Sequence, residues 1–228
     1  MDSERASVAT IHGVQVALDE ARMSPKMLEV IRSGEYESEE AHHIASIVEP
    51  GERVVELGAG IGLISALVGR SGRAERIAAY EANPDLVPLI ERTHALNGVT
   101  AEVVNAVVLP RPITATVPFY LRRDFWASSL SPEPFGYDGV VDVPAVDFER
   151  MLARHRPTML VVDIEGGEAE LFHEVRLTGI RKVYVEVHQQ ILGRHGMKRL
   201  FDAFSRQDFH YDQWHSTHGV ILFSHVDR

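Results

Sequence analysis

The chain has 228 residues, 45% hydrophobic and 25% charged, which is typical of one globular domain with a sizeable core. Its formal net charge of -10 and scattered Lys and Arg residues argue against binding to a phosphate backbone, so no nucleic-acid partner is expected. The absence of cysteine excludes disulfides, thiolate metal sites and cysteine nucleophiles. No apolar run reaches about 18 residues and no secretory leader is evident, so we expect a soluble, cytoplasmic protein without a membrane partner.

The N-terminal segment is predicted to differ from the rest of the chain. Residues 1–47 are expected to form a helical lid, with a helix start at Ser24-Pro25 and an acidic stretch from Glu35 to Glu40. After the lid, short runs rich in Val and Ile alternate with segments of helical periodicity, which predicts a parallel sheet covered on both faces. We therefore predict one α/β domain over residues 1–228, with its catalytic core at 48–228.

The first part of the core contains three predicted strands separated by two predicted helices. Each strand is a compact apolar run, and the second helix begins at Asn83-Pro84, where Asn is a good cap and Pro suits the first helical turn. The predicted strands are at 53–57, 76–80 and 101–105, and the predicted helices are at 61–69 and 84–96.

The second part is less regular until the chain approaches its end. Residues 113–121 are expected to be irregular or a hairpin, and the Ser, Pro and Gly content of 122–137 predicts a long loop. An antiparallel hairpin is expected to complete the sheet. The later predicted elements are strands at 158–162 and 182–187, helices at 168–175 and 197–206, and hairpin strands at 209–214 and 219–224.

A glycine-rich turn joins the first predicted strand to its helix, with the sequence Glu56-Leu57-Gly58-Ala59-Gly60-Ile61-Gly62. Glycines at such a position let the backbone approach a ligand closely. Glu81, at the end of the next strand, is placed to accept hydrogen bonds from both hydroxyls of a ribose. Glu56 would repel a pyrophosphate but would hold an ammonium group, so the pattern favours S-adenosylmethionine over NAD.

Three other interpretations remain open at this stage. The turn is also compatible with a tight connection that binds no ligand. An NAD-linked oxidoreductase is disfavoured because the spacing is G-x-G-x-G rather than G-x-G-x-x-G and because a second mononucleotide-binding half is missing. A non-catalytic scaffold that keeps the methyltransferase fold is the third alternative, since fold does not guarantee activity.

Several segments together resemble the FkbM family of class I methyltransferases, from about residue 34 to residue 187. The resemblance implies a Rossmann-like sandwich whose seven-stranded, mostly parallel sheet has an antiparallel last strand. It also implies S-adenosylmethionine as the methyl donor and transfer to a hydroxyl of a sugar or secondary metabolite. The segments that carry it are Gly34 to Glu40, Glu56 to Gly62, Glu81-Ala82-Asn83-Pro84, Asn105-Ala106-Val107 and Asp163-Ile164-Glu165-Gly166-Gly167-Glu168.

Two positions depart from the pattern of this family. Val161 stands where many members have Lys, and the turn reads Gly-Ala-Gly where Gly-Ala-Asn is common. The first difference removes any role for that Lys here. Combining the turn with the resemblance, the expected cofactor-binding residues are Glu56, Gly58, Ala59, Gly60, Gly62, Glu81, Ala82, Asn105, Ala106, Asp163, Tyr36 and Glu37.

The reaction centre of an open α/β sheet lies beyond the carboxyl ends of its strands. His188 follows a core strand and has a side chain whose ordinary pKa of about 6.5 suits proton removal, so it is the predicted general base. Asp163 is the second candidate, and a purely structural hydrogen bond is an equal alternative for His188. A Mg²⁺ site formed by Asp163, Glu165 and His188 is a secondary interpretation that we do not expect, because no tight ligand motif marks it.

The predicted function is therefore an S-adenosylmethionine-dependent O-methyltransferase with a small-molecule acceptor. Phe125, Trp126 and Tyr137 lie in the predicted long loop, where they either stack on an acceptor or pack in the core. The acceptor, the atom that is methylated and the oligomeric state do not follow from the sequence.

Overall fold

The structure is a computed structural model that describes residues 6–133 and 136–227. It begins with a β-hairpin rather than a helix. The hairpin consists of β1 (Ala6–Ile11) and β2 (Val14–Asp19), and its turn residues His12 and Gly13 both have positive φ, at 47° and 78°. A two-residue turn of this kind matches the twist of paired strands. The predicted helical lid is therefore wrong for this segment, and only α1 (Pro25–Ser33) and α2 (Ser38–Ile47) are helical.

The remaining elements follow in chain order. Up to the middle of the chain they are β3 (Glu52–Leu57), α3 (Leu63–Arg70), β4 (Ala74–Glu81), α4 (Val87–Leu96), β5 (Glu102–Asn105), β6 (Val107–Leu109), β7 (Thr116–Leu121) and a 3₁₀ turn (Phe125–Ala127). The second half contains β8 (Gly139–Asp147), α5 (Phe148–His155), β9 (Met159–Val162), α6 (Glu168–Glu174), β10 (Lys182–Glu186), α7 (Gln189–Ser205), β11 (Phe209–Thr217) and β12 (Val220–His225).

Seven strands form the main sheet in the order β11-β12-β10-β9-β3-β4-β5. The pairs β10–β9, β9–β3, β3–β4 and β4–β5 are parallel, whereas β12 is antiparallel to both of its neighbours. The last strand of the chain is thus reversed inside a mostly parallel sheet. The predicted α/β class and sheet architecture are confirmed.

Several predicted boundaries are corrected by the structure. Helix α4 begins at Val87 rather than at residue 84, because Asn83 closes a local turn in which its Oδ1 accepts from the N–H of Asp85. Helix α7 begins at Gln189 and includes a kink at Gly193. Residues 139–155, to which no element was assigned, form β8 and α5. Strand β8 pairs with β6 and β7 in a separate three-stranded sheet.

Both faces of the main sheet are covered, which explains its unbroken apolar strands. Alternate residues of β3 enter different hydrophobic clusters, with Val54 in one and Val55 in the other. In β9, Val161 and Val162 divide in the same way. The carboxyl ends of these strands are left to form a site.

No helix among the residues that the structure describes is long and apolar enough to cross a membrane.

Candidate functional site

A cavity of about 580 Å³ opens at the carboxyl ends of β3, β4, β9 and β10. Its size is that of a typical small-molecule site. The described residues that line it include nine acids and no Lys, Arg or His, so the cavity favours a cationic ligand and hydrogen-bond donors. The nine acids are Glu35, Glu37, Glu39, Glu40, Glu81, Asp163, Glu165, Glu170 and Glu186.

The glycine-rich turn brings three backbone segments into close contact. Gly58 has φ +85°, and a Cβ at this position would lie 1.7 Å from the carbonyl oxygen of Asp163. Gly60 has φ +54°, and its Cβ would lie 2.4 Å from Oη of Tyr36. Both positions therefore require glycine for steric reasons as well as for their backbone conformation. The turn holds Asp163 and Tyr36 at the cavity wall.

The carboxylate of Glu81 is fixed at the end of β4 by backbone donors. The N–H groups of Gly60 and Asn83 donate to its two oxygens at 2.9 and 2.8 Å. Burial raises the pKa of Glu81 to about 7, although these hydrogen bonds act in the opposite direction. Asn105 donates from Nδ2 to the carbonyl oxygens of Glu81 and Ala82, which ties β5 to the same corner. Glu81 is thus rigid and lines the cavity, as a ribose-binding carboxylate must.

Glu56 lies behind the turn, in a small cavity adjacent to the main one. Gly58 and Asp163 line both cavities. Burial raises the pKa of Glu56 to about 8, and its Oε2 has no hydrogen-bond partner among the described residues. An unsatisfied buried carboxylate beside a glycine turn fits the ammonium-binding role predicted for it, which remains a prediction.

The predicted cofactor-binding residues divide into two groups in the structure. Gly62 caps α3 and packs against Ile90, so its role is structural, and Ala59 is buried. Glu56 and Asn105 act from behind the wall. The residues that line the main cavity are Tyr36, Glu37, Gly58, Gly60, Glu81, Ala82, Ala106 and Asp163.

His188 is not on the cavity wall. Its Nδ1 lies 3.0 Å from Oε1 of Glu168, and its Nε2 faces Glu165 at 3.2 Å and Asp163 at 3.7 Å. Burial opposes the charged ring, but the hydrogen bond with Glu168 and the charges of Asp163 and Glu165 raise the pKa of His188 to about 9. A protonated ring has no lone pair to remove a proton. The raised pKa disfavours the neutral ring that a general base requires, and the role of His188 as general base remains a prediction.

Three acids project from the carboxyl ends of β9 and β10 into the cavity: Asp163, Glu165 and Glu186. Burial raises the pKa of Asp163 well above its usual range, that of Glu165 to about 7 and that of Glu186 to about 11. Glu40, which the sequence analysis did not single out, joins them from α2. Glu37 immediately precedes α2 and Glu40 lies in its first turn, and both line the cavity.

An aromatic group forms another part of the wall. The rings of Tyr36 and Trp126 are stacked with centroids 6.4 Å apart, and Phe125 meets Tyr36 edge-on at 6.0 Å. Arg122, which the sequence analysis also missed, holds this loop. Its guanidinium donates to the carbonyl oxygens of Gly136, Tyr120, Ala127 and Ser131.

Residues 12–111 match the family model of the TRM5/TYW2 methyltransferase domain, which is less than half of the chain. No curated protein matches the sequence. The chain is similar in fold to Trm5 of Methanocaldococcus jannaschii in complex with adenosine, with 12% identity, 100% of this chain and 57% of that chain covered, and a TM-score of 0.51. It is also similar to Trm5b of Pyrococcus abyssi, with 14% identity, coverages of 98% and 56%, and a TM-score of 0.50. The chain thus spans little more than half of either Trm5 chain.

Two expectations from the sequence are wrong in the light of these comparisons. The family model that matches is that of TRM5/TYW2, so the resemblance to the FkbM family is not upheld. The expectation of no nucleic-acid partner is also contradicted, because the family model that matches is that of the TRM5/TYW2 methyltransferase domain. That expectation assumed that net charge reports on every surface of a molecule, whereas it reports only on their sum.

The predicted enzyme class is confirmed at the level of the domain. The matched family model is a methyltransferase domain, the sheet has the expected reversed strand, and the cavity has the acid-flanked glycine turn. The chain is an S-adenosylmethionine-dependent methyltransferase with the class I fold.

Proposed function

We propose that this methyltransferase acts on a nucleobase of an RNA such as tRNA, at a ring nitrogen that carries a proton. The observation that carries the proposal is the pairing of an acidic wall with an aromatic wall in one cavity. Asp163, Glu165 and Glu186 form the first, and Phe125 and Trp126 contribute to the second. The match to the TRM5/TYW2 domain supports the same class of acceptor.

A flipped-out base is recognised by stacking on aromatic rings and by hydrogen bonds to its edge. Carboxylates accept hydrogen bonds and repel other acceptors, so they select an edge that presents N–H groups, as guanine does. The same wall would exclude a phosphate, which must remain outside the cavity. The chemistry of the wall therefore favours a base over a sugar-phosphate group.

When bound, S-adenosylmethionine supplies a methyl group on a sulfonium sulfur, from which a nucleophile displaces it. Glu81 is placed for the ribose, and the orphaned carboxylate oxygens of Glu37 and Glu56 suit positive charge. Asp163 and Glu165 line the space of the acceptor, and Glu165, whose pKa burial raises to about 7, takes the single ring proton as the new N–C bond forms and the methyl–sulfur bond breaks. A mechanism in which a cysteine thiolate of the enzyme first adds to the acceptor is excluded, because the sequence contains no cysteine.

The phosphate backbone needs positive charge near the cavity mouth. Arg111 follows Pro110 of the cavity wall, and Arg123 precedes the aromatic loop. Both are exposed, and neither makes an ion pair with any of the described residues. These arginines give a backbone two contacts despite the overall negative charge.

The test is methyl transfer from radiolabelled S-adenosylmethionine to unfractionated tRNA, followed by nucleoside analysis. The proposal expects label on a base nitrogen and transfer that weakens as salt rises, since counterions compete for the phosphate contacts. Hydroxyl-bearing sugars and secondary metabolites, the acceptors suggested by the sequence alone, are assayed in parallel. Label only in that panel, or on ribose oxygen, would overturn the proposal.

Variants separate the contributions of the acidic wall and of the two arginines from a general loss of folding. Asp163→Asn and Glu165→Gln should lower the transfer rate by about 10²-fold, the usual scale for loss of proton removal. Arg111→Glu with Arg123→Glu should weaken RNA binding and reduce its salt dependence. The matched control is Arg150→Glu, at an exposed position on α5, which should leave RNA binding unchanged.

A further inference from the structure

We infer that Asp163, Glu186 and His188 form a site for a divalent transition-metal ion such as Mn²⁺ in the acidic wall of the cavity. Each residue offers one ligand atom, and these three atoms all lie within 4.8 Å of one another. Asp163 and Glu186 line the cavity, and His188 lies directly behind them. An ion held by all three would therefore border the space that an acceptor occupies.

The orientation of His188 is that of a metal ligand. Oε1 of Glu168 lies 3.0 Å from Nδ1 and also accepts the N–H of Gly166 at 2.9 Å. A carboxylate behind one ring nitrogen fixes the ring and directs the other nitrogen to the metal. Nε2 is directed at Oδ1 of Asp163 and Oε1 of Glu186, at 3.7 and 3.8 Å, and makes no hydrogen bond within the part of the chain that the structure describes.

The two distances from Nε2 agree with coordination after a small contraction, and the carboxylate oxygens of Asp163 and Glu186 lie within 4.8 Å of each other. Ligand atoms bound at about 2.1 Å with angles between 90° and 110° are separated by about 3.0 to 3.5 Å. The observed separations from Nε2 exceed this range by only a few tenths of an ångström. Glu165, whose Oε2 lies 3.2 Å from Nε2, is close enough to serve as a further ligand.

An independent observation indicates that this cluster lacks a partner. Oδ1 of Asp163, the atom that faces Nε2, is shielded from solvent and has no hydrogen-bond partner among the described residues. Oε2 of the fully buried Glu168 is in the same condition. Buried carboxylate oxygens are normally satisfied, so two orphans beside one imidazole point to a missing cation.

The ligand set indicates which ion fits. A site with one imidazole and two carboxylates suits Mn²⁺, Fe²⁺ or Zn²⁺ better than Mg²⁺, which prefers oxygen ligands and keeps its water. The competing occupant is a proton on Nε2, which would pair with the carboxylates without any metal. The inference does not require the acceptor to be RNA, because metal binding is measured without an acceptor.

The experiment is a Mn²⁺ titration of the EDTA-treated full chain, followed by electron paramagnetic resonance of free Mn²⁺. One site per chain is expected, and spin-echo spectra of the bound ion should show coupling to an imidazole nitrogen. His188→Gln and Glu186→Gln should each weaken binding at least tenfold. The matched control is Glu170→Gln, an exposed acid of the same cavity that lies outside the cluster, and it should retain the affinity.

Absence of a site, or bound Mn²⁺ without nitrogen coupling, would overturn the inference and leave the proton as the occupant. Mn²⁺ affinity as high in both His188→Gln and Glu186→Gln as in the unmodified protein would also overturn the inference. The nitrogen coupling is measured on the unmodified protein, so a variant that fails to fold does not remove the test. Absence of metal binding by the unmodified protein, with RNA methylation intact, would reject this site while leaving the proposed function standing.

Discussion

At the scale of single residues, the site depends on positions that only glycine can occupy. Gly58 has a positive φ, which disfavours any residue with a Cβ. A Cβ at this position would also lie only 1.7 Å from the carbonyl oxygen of Asp163, so two independent reasons require glycine here. Gly98 provides a comparison. It has a similar φ of +65° but nothing within 4 Å of a built Cβ. The two glycines share the conformational requirement and differ only in the steric one.

We expect Gly58→Ala to lower the free energy of unfolding by at least 3 kcal/mol and to abolish binding of S-adenosylhomocysteine, because the turn must move away from Asp163. Gly98→Ala should cost only about 1 kcal/mol, the strain of a left-handed alanine. Urea unfolding and calorimetry measure both effects. Equal losses in the two variants would show that the contact with Asp163 is unimportant.

Glu81 is the residue at which the cofactor prediction is most directly tested. Glu81→Gln keeps the shape of the side chain but replaces one acceptor oxygen by a donor and removes the charge. We expect the Kd for S-adenosylhomocysteine to rise at least tenfold, since a hydrogen bond to a charged group contributes about 1.5–3 kcal/mol. Glu102→Gln, at an exposed acid that starts β5, is the control. An unchanged Kd for the Glu81 variant would remove Glu81 from the cofactor site.

The sequence was sufficient for residues whose role follows from strand position. Glu81 ends β4 and Asp163 follows β9, the two strands that flank β3, so their place on the wall was predictable from the sheet alone. His188 also ends a strand, but the residue that sets its protonation, Glu168, lies on α6. That contact depends on how α6 packs, which no local pattern encodes. The same holds for Arg122, whose partners are backbone carbonyls.

At the scale of elements, the side chain of Arg122 makes several of the hydrogen bonds that hold the aromatic loop. Arg122→Met removes the guanidinium that donates to four loop carbonyl oxygens, and the loop should become mobile while the sheet stays intact. Trp126 should become solvated, with red-shifted emission and a more than tenfold loss of methyl transfer. Emission is measured in a Trp214→Phe background, because Trp214 is 83% exposed. An Arg123→Met variant, one residue away and exposed, should leave the emission unchanged.

Elements were predictable where the hydrophobic periodicity and the length of a segment indicated the same kind of element. They were missed where short strands pair outside the main sheet. The five parallel strands of the sheet each contain a short run of apolar residues, and all five were predicted. The N-terminal hairpin was missed because its alternating pattern is short, although His12-Gly13 between two β-branched runs is a hairpin signal. Strand β8 was missed because Pro144 and Asp142 interrupt its hydrophobic pattern, and its pairing with β6 and β7 is decided by tertiary contacts.

The amino ends of β3 and β10 are joined by a buried ion pair, far from the cavity. Glu52 is fully buried and lies 3.1 Å from Nη2 of Arg181 and 3.4 Å from Nζ of Lys182. We expect Glu52→Ala to cost about 3 kcal/mol, since it removes the fully buried partner of these cations and leaves them only the half-exposed carboxylate of Glu49. Glu75→Ala, which breaks a half-exposed pair with Arg53, should cost under about 1 kcal/mol. Chemical denaturation measures both, and comparable losses would contradict the importance of burial.

At the scale of the whole molecule, negative charge is concentrated where the ligand binds. The chain carries a formal charge of -10, and nine acids line one cavity. Burial raises the pKa of several of these groups, so ionising them in the folded chain lowers its stability. Cofactor affinity and fold stability are therefore linked through the same carboxyl groups.

The stability of the ligand-free protein should consequently fall as pH rises. Burial raises the pKa of Glu81 to about 7 and that of Glu56 to about 8, from an ordinary value of 4.5. A raised pKa means that each group's contribution is fully present below pH 4.5 and is lost as pH rises through the folded-state value. A Glu56→Gln, Glu81→Gln double variant keeps uncharged groups there, so its stability advantage over the unmodified protein should grow by roughly 3 kcal/mol or more between pH 5 and 8. Urea unfolding at several pH values measures this difference, with Glu75→Gln, Glu102→Gln as the exposed control pair. If the free energy of unfolding of the Glu56→Gln, Glu81→Gln variant and that of the unmodified protein change with pH in parallel, both carboxyl groups ionise in the folded chain without a loss of stability.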